Sequence, residues 1–326
     1  MYQRRVFVKV FKVVLAGAGL SAAVVYLAFR TDLNRIQARQ EAGSQVAQTA
    51  CGSIEYTAWG EGQPALLIHA TGGDYNQGRL MQQMFVGDGF RFIAPSRPGY
   101  LRTPQIADPS AAGQADALAC LLDALGVERV GVVAMSAGGP VAMQFAIRHP
   151  QRTRALVLLS TAAYLPPASG VKRQLPASDA VYKILFGSDF IFWSVVRFAG
   201  PALQAAFGAT PELQAKISPQ EKASLDEMIA DMLPISRHSA GLANDAAIAD
   251  EAIAAPYPLE RITAPTLLVH ARDDPAAMPA GAEDTARRIP GAALKWLESG
   301  GHVLLGHHAE VRAQVHDFLV QHTAGR

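Results

Sequence analysis

Charge of one sign, cysteine and metal-ligand motifs are all scarce in this chain. Its 326 residues carry 29 Lys and Arg against 28 Asp and Glu, a net charge of +1. No basic face for a nucleic acid and no strongly charged partner is therefore implied. The two cysteines, Cys51 and Cys120, cannot build a disulfide framework. One bridge and two unrelated thiols are both open readings. Neither a CxxC nor an HExxH pattern occurs, so neither a metal site nor an organic cofactor is suggested. Apolar residues, in contrast, make up half of the chain, enough to bury a large core as one large domain or two small ones.

Residues 1–30 stand apart from the rest. Arg4, Arg5, Lys9 and Lys12 precede an uncharged run over residues 13–29, closed by Arg30 and Asp32. At about 1.5 Å per residue the run is near the lower limit for crossing a bilayer, and snorkelling by Lys9 and Lys12 would lengthen it. The segment is therefore expected as an N-terminal transmembrane helix, an uncleaved anchor that makes the membrane a partner. A cleaved signal peptide is the competitor, but residues 26–30 make a poor A-x-A-like site. Basic residues are denser before the run than after it, which puts the remainder outside the cytoplasm in a single-pass topology, or secreted after cleavage. Residues 31–44 read as a juxtamembrane spacer.

From residue 45 onward, short apolar runs alternate with helical patterns. Residues 45–50 and 53–59 alternate around Cys51-Gly52 and read as a hairpin. Further strands are expected at 65–69, 90–94, 129–135, 155–159, 265–270 and 293–297. Residues 111–125 form an amphipathic helix with Leu118, Leu121, Leu122 and Leu125 on one face; others are expected near 281–288 and 309–321. This order indicates a mostly parallel sheet with helices on both faces. It breaks over about 161–253, a stretch of helix formers punctuated by Pro166-Pro167, Pro176, Pro201, Pro211 and Pro219. That stretch reads as an inserted helical cap.

Residues 129–140 organise the rest. A β-branched run ends at Ser136 among small residues, and a helical pattern starts at once. A strand turning this sharply into a helix needs small side chains two before and two after the apex, here Ala134 and Gly138. The turn lifts the hydroxyl clear and sets the following amides at the positive end of a helix. Pro140 suits a first turn, where its missing N–H costs nothing. The plainer reading makes Ser136 only an N-cap.

Five segments now occur in a familiar order: Leu67-Ile68-His69-Ala70-Thr71-Gly72-Gly73, Ser96-Arg97-Pro98-Gly99-Tyr100, Ala134-Met135-Ser136-Ala137-Gly138-Gly139, Leu268-Val269-His270-Ala271-Arg272-Asp273-Asp274-Pro275, and Gly300-Gly301-His302. From residue 45 the chain resembles the α/β-hydrolases, of the group with a helical cap inserted after the sixth strand. The resemblance implies a serine hydrolase in which Ser136 is the nucleophile, His302 its base and Asp274 the carboxylate that orients the imidazole. Asp273 is the rival for that last role. The backbone N–H groups of Thr71 and Ala137 would form the oxyanion hole, with Gly72 as the alternative to Thr71. His270 ends a strand and reads as structural; His307, His308, His316 and His322 read as solvated.

Relatives that displace halide or open epoxides carry Asp where this chain has Ser136. The implied reaction is therefore cleavage of an ester-type bond of an apolar small molecule, with carbon–carbon hydrolysis on the same three groups as the alternative. A catalytically silent binding protein is the rival from another class, since Ala70, Ala134 and Ala271 replace glycines usual in relatives. In the cap, Phe186, Phe190, Phe192, Trp193, Val195, Val196 and Phe198 could pack the cap, line an acyl pocket or dip into a bilayer.

Overall fold

The computed structural model describes residues 2–161, 179–254 and 256–323. Two compact units are present, Met1–Ala42 and Gly43–Arg326. The first is a single helix, α1 (Tyr2–Ala42), of 41 residues. It runs straight through Arg30 and Asp32, so the expected spacer is a continuation of the same helix. No helix among the described residues is long and apolar enough to cross a membrane. The transmembrane helix, the single-pass topology and the membrane as partner are corrected on that finding. The uncharged run spans only 17 residues, about 26 Å of helix against roughly 30 Å of hydrocarbon. Gly17, Gly19 and Ser21 dilute it further.

The second unit is built on an eight-stranded sheet. In chain order the strands are β1 (Gln45–Thr49), β2 (Gly52–Trp59), β3 (Gln63–Ile68), β4 (Phe90–Pro95), β5 (Val130–Met135), β6 (Thr153–Leu159), β7 (Thr266–Ala271) and β8 (Ala293–Leu297). Their spatial order is β1-β2-β4-β3-β5-β6-β7-β8. The β1–β2 hairpin pairs antiparallel and β2 pairs antiparallel with β4; every later pairing is parallel. Each residue of β5 and β7 is buried, as expected of β-branched and apolar runs with both faces covered.

Helices α2 (Tyr75–Met81), α3 (Ala111–Ala124) and α4 (Gly138–Arg148) follow β3, β4 and β5. The first of these, capped by Asp74, was not foreseen. Leu118, Leu121 and Leu122 of α3 pack with Phe145 of α4 on Leu66, Val132, Leu156 and Leu268 of the sheet. Cys51 and Cys120 are joined in a disulfide with Cα atoms 5.9 Å apart, tying the first hairpin to α3.

Between β6 and β7 lie α5 (Asp179–Phe186), α6 (Asp189–Ala206), α7 (Pro211–Gln214), α8 (Pro219–Ala230) and α9 (Ser239–Ala254). Pro211 and Pro219 open their helices, where a missing N–H is harmless, and Ser218 with Glu221 makes a capping box for α8. Pro201 sits inside α6, which is kinked at Ala199. The expected breaks at Pro166-Pro167 and Pro176 lie outside the described residues. The chain closes with α10 (Pro279–Arg288) and α11 (His308–Thr323).

Candidate active site

The carboxyl ends of β3, β5, β7 and β8 converge on one rim, and each contributes to the site. At the end of β5, Ser136 adopts φ +50, a left-handed conformation rare for a residue with a side chain. Its N–H donates to Leu159 O at 2.9 Å, and its own carbonyl accepts from Gly139 N–H at 2.8 Å. Gly138 is required by close approach to β3 and the loop after it: a Cβ there would stand 2.7 Å from Ile68 O and 2.8 Å from His69 O.

His302 follows β8 in a loop whose glycines hold left-handed backbone angles that other residues adopt rarely, Gly300 at φ +138 and Gly301 at φ +59. Its Nε2 lies 2.8 Å from Ser136 Oγ. Its Nδ1 lies 2.9 and 3.0 Å from the two Asp274 oxygens. Residues distant in sequence thus meet in one hydrogen-bonded line, and all three are buried.

The two aspartates after β7 divide their duties. Asp274 Oδ1 accepts from the Ala276 and Ala277 amides at 2.8 and 2.9 Å while facing His302. Burial works against its charge, but His302 and the Ala277 amide prevail and hold the carboxyl below the usual range. Asp273 instead accepts from the Gly300 and Gly301 amides at 3.2 and 2.9 Å, and so braces the loop that carries His302. His270 is 3.6 Å from Asp274 Oδ2 and bonds Ala277 O at 2.7 Å through Nε2. Burial depresses its pKa, so it stays neutral near pH 7. His308, expected in solvent, is buried, and its Nε2 bonds Val303 O at 2.9 Å.

Of the two adjacent amides in the loop after β3, Gly72 N–H is committed to Tyr100 Oη at 3.2 Å. Thr71 lines the cavity beside Ser136. Ala137, directly after Ser136, is the N-cap residue of α4.

The cavity over Ser136 is narrow, about 40 Å³. Its apolar walls are Met135, Phe207, Met228, Ile229, Met232 and Val303, with Thr71, Gln77, Ser136 and His302 as the polar positions. The seven apolar cap residues, read from sequence first as packing the cap and only second as an acyl pocket, are not among those walls. Phe192 and Trp193 are buried elsewhere in the cap, and Phe190 and Phe198 are exposed. Sequence reasoning missed Phe207, Met228, Ile229 and Met232, though the helical spacing of Leu225, Met228, Ile229 and Met232 was there to be read. Cap and rim are in direct contact: His302 N–H donates to Phe207 O at 3.1 Å, and the two rings lie 6.5 Å apart and nearly parallel.

A hydroxyl, an imidazole and a carboxylate in line at a sheet rim, under a helical lid, define a class of hydrolytic α/β proteins. The chain belongs to the alpha/beta hydrolase fold family, whose sequence pattern matches residues 63–309. It is similar to an uncharacterized hydrolase of Bacillus subtilis, 31% identical over 267 residues, 78% of this chain and 89% of the relative. It is 28% identical to the 2-hydroxymuconate semialdehyde hydrolase of Pseudomonas putida over 80% of this chain and 89% of that protein. Among solved structures, an alpha/beta hydrolase fold protein from Nakamurella multipartita superposes with TM-score 0.71 at 27% identity, covering 85% of this chain and 98% of that one. The chain is accordingly a hydrolase.

Proposed function

We propose that this hydrolase cleaves ester-type bonds of an apolar small molecule through an acyl-enzyme. The observation that carries the reading is the 2.8 Å contact between Ser136 Oγ and His302 Nε2, with Asp274 on the other ring nitrogen. In this reading His302 takes the hydroxyl proton as Ser136 attacks the carbonyl carbon. The tetrahedral oxyanion is held by the amides of Ala137 and Thr71. His302 then hands its proton to the departing alcohol. A water molecule, activated by the same imidazole, adds to the acyl carbon and releases the acid. Asp274 holds the imidazole in the tautomer with its proton on Nδ1 and stabilises the imidazolium.

Carbon–carbon hydrolysis is the second reading, motivated by the name of the Pseudomonas putida relative. That name denotes a carboxylate-bearing compound, for which a cation in the cleft would be expected. Among the described residues the cavity is lined by none, which favours an uncharged ester. Labelling by a fluorophosphonate probe, lost in Ser136→Ala, together with turnover of short-chain p-nitrophenyl esters, tests the proposal. Folded wild-type protein that neither labels nor turns over would overturn it.

A further inference from the structure

The Ser96-Arg97-Pro98-Gly99-Tyr100 loop takes no part in the chemistry above, yet Arg97 and Tyr100 are among the largest fully buried side chains of the molecule. Arg97 makes a forked ion pair with Asp245 of α9, Nη1 to Oδ1 at 2.6 Å and Nη2 to Oδ2 at 2.9 Å. Tyr100 donates its phenolic proton to the same Oδ2 at 2.5 Å. Burial opposes the charge of Arg97, but Asp245 more than restores it and the guanidinium is held above its ordinary value. Burial, reinforced by Asp245, raises Tyr100 well above the usual phenol range, so its proton stays in place. Withdrawing charges from water is unfavourable unless their geometry is good and the remaining donors are used. Of the remaining groups, Nη1 also reaches Gln114 Oε1 at 3.4 Å, Nε has no partner among the described residues, and Nη2 and the phenol oxygen turn toward the loop after β3.

Tyr100 Oη accepts the Gly72 N–H at 3.2 Å. A further Arg97 Nη2 proton reaches Ala70 O at 3.4 Å, where the Gly73 N–H at 3.1 Å and His69 Nδ1 at 2.8 Å also converge. The His69 tautomer follows from its other nitrogen, which accepts the Arg97 N–H at 2.9 Å; the proton is therefore on Nδ1. Both peptide planes that flank Thr71 are thus held, one by its carbonyl and the other by its amide. In a planar trans peptide the N–H points opposite to the C=O. Drawing Ala70 O toward Arg97 and His69 turns the Thr71 N–H the other way, and Thr71 lines the cavity with Ser136.

We infer that Asp245, carried by the cap on α9, is a positioning residue for the Thr71 amide, acting through Arg97 and Tyr100 on the two peptide planes beside it. The cap then does more than shape the pocket: seating it orients one oxyanion donor. The inference rests on the serine-hydrolase reading, and its test separates the two.

The test uses full-length protein and p-nitrophenyl butyrate, with folding of each variant checked by circular dichroism. Tyr100→Phe removes the acceptor for Gly72 and should lower kcat about tenfold or more, short of the hundredfold or greater loss of a whole oxyanion donor. KM should stay within about twofold, because the interaction is made in the transition state. A butyl trifluoromethyl ketone, which binds serine as a tetrahedral oxyanion, should lose affinity by the same factor as kcat/KM. A residue that only glued the cap down would move KM and leave that proportionality unmet. Asp245→Asn keeps an oxygen for the phenol but drops the charge that sets Arg97, and should show the same split. It carries the test alone if Tyr100→Phe does not fold. A folded variant with wild-type kcat, or with its loss entirely in KM, overturns the inference while the serine-hydrolase reading stands. A wild-type protein without turnover or labelling overturns both.

Discussion

Asp273 and Asp274 are neighbours in sequence with different work, and the difference lies in where each carboxylate finds donors. Asp274 faces the imidazole and is buried, whereas Asp273 is exposed and grips the Gly300-Gly301 backbone. Asp274→Asn should lower kcat by on the order of 10⁴-fold, because an amide presents the wrong partner to Nδ1–H. Asp273→Asn should keep most activity and lose about 1 kcal/mol of stability or less, as an exposed acceptor weakens. Steady-state kinetics and urea melts on the pair read the contrast, and a reversal of the two effects would exchange their roles. Ser136→Ala should lower kcat by at least about three orders of magnitude with little change in melting temperature.

Among the elements, the end of α6 abuts the loop that carries His302. Phe207 and Gly208 end that helix directly on the His302 loop. A Cβ at Gly208, whose φ is +82, would stand 2.9 Å from Gly301 Cα and 3.3 Å from His302 N. Gly208→Ala should therefore displace the imidazole and reduce kcat by more than its stability loss, about 1 kcal/mol or somewhat above, would explain. The end of α8 and the turn after it supply the pocket roof. A Cβ at Gly72 would lie 2.3 Å from Met232 Cε, so the roof and the loop after β3 are in contact. Met232→Ala should widen the cavity and shift kcat/KM toward longer acyl chains in a series of p-nitrophenyl esters. An unchanged chain-length profile would move the acyl subsite elsewhere.

Across the whole molecule, stability responds to a covalent link and to proton uptake. The Cys51–Cys120 disulfide spans 69 residues of chain, so opening it with a Cys51→Ser, Cys120→Ser pair should cost up to about 4 kcal/mol in the chain-entropy picture. Chemical denaturation reads that loss. Burial lowers the pKa values of His69, His270 and His308. Below about pH 6.5 the unfolded chain gains protons at these sites before the folded one does. Their contribution is thus present at neutral pH and is lost as the solution turns acid. Melting temperature should fall from pH 7 to pH 5, each histidine contributing at most about 1.4 kcal/mol per pH unit. A flat profile over that interval would contradict the buried neutral imidazoles.

Local pattern was enough to reveal the alternation of strands and helices, the turn at Ser136 and the glycine loop around His302. Strand runs, turn residues and helix starts are short-range chemistry, legible in a few neighbouring side chains. Other assignments depended on partners far away in the chain. That Asp274 rather than Asp273 faces the imidazole depends on the approach of His302, and that the Gly72 amide is engaged depends on the arrival of Tyr100. The pairing of the cysteines required the first hairpin to lie against α3. The pocket lining went to Met and Phe residues at the ends of cap helices, while the more conspicuous aromatics of α6 turned elsewhere. For residues 13–29 the apolar run invited a membrane reading, which the finding on helix length and apolarity overturned. A sequence determines which groups are present and what each stretch of backbone prefers. Which group faces which is decided by the packing of elements, because hydrogen bonds and desolvation act over a few ångströms in space whatever the distance along the chain.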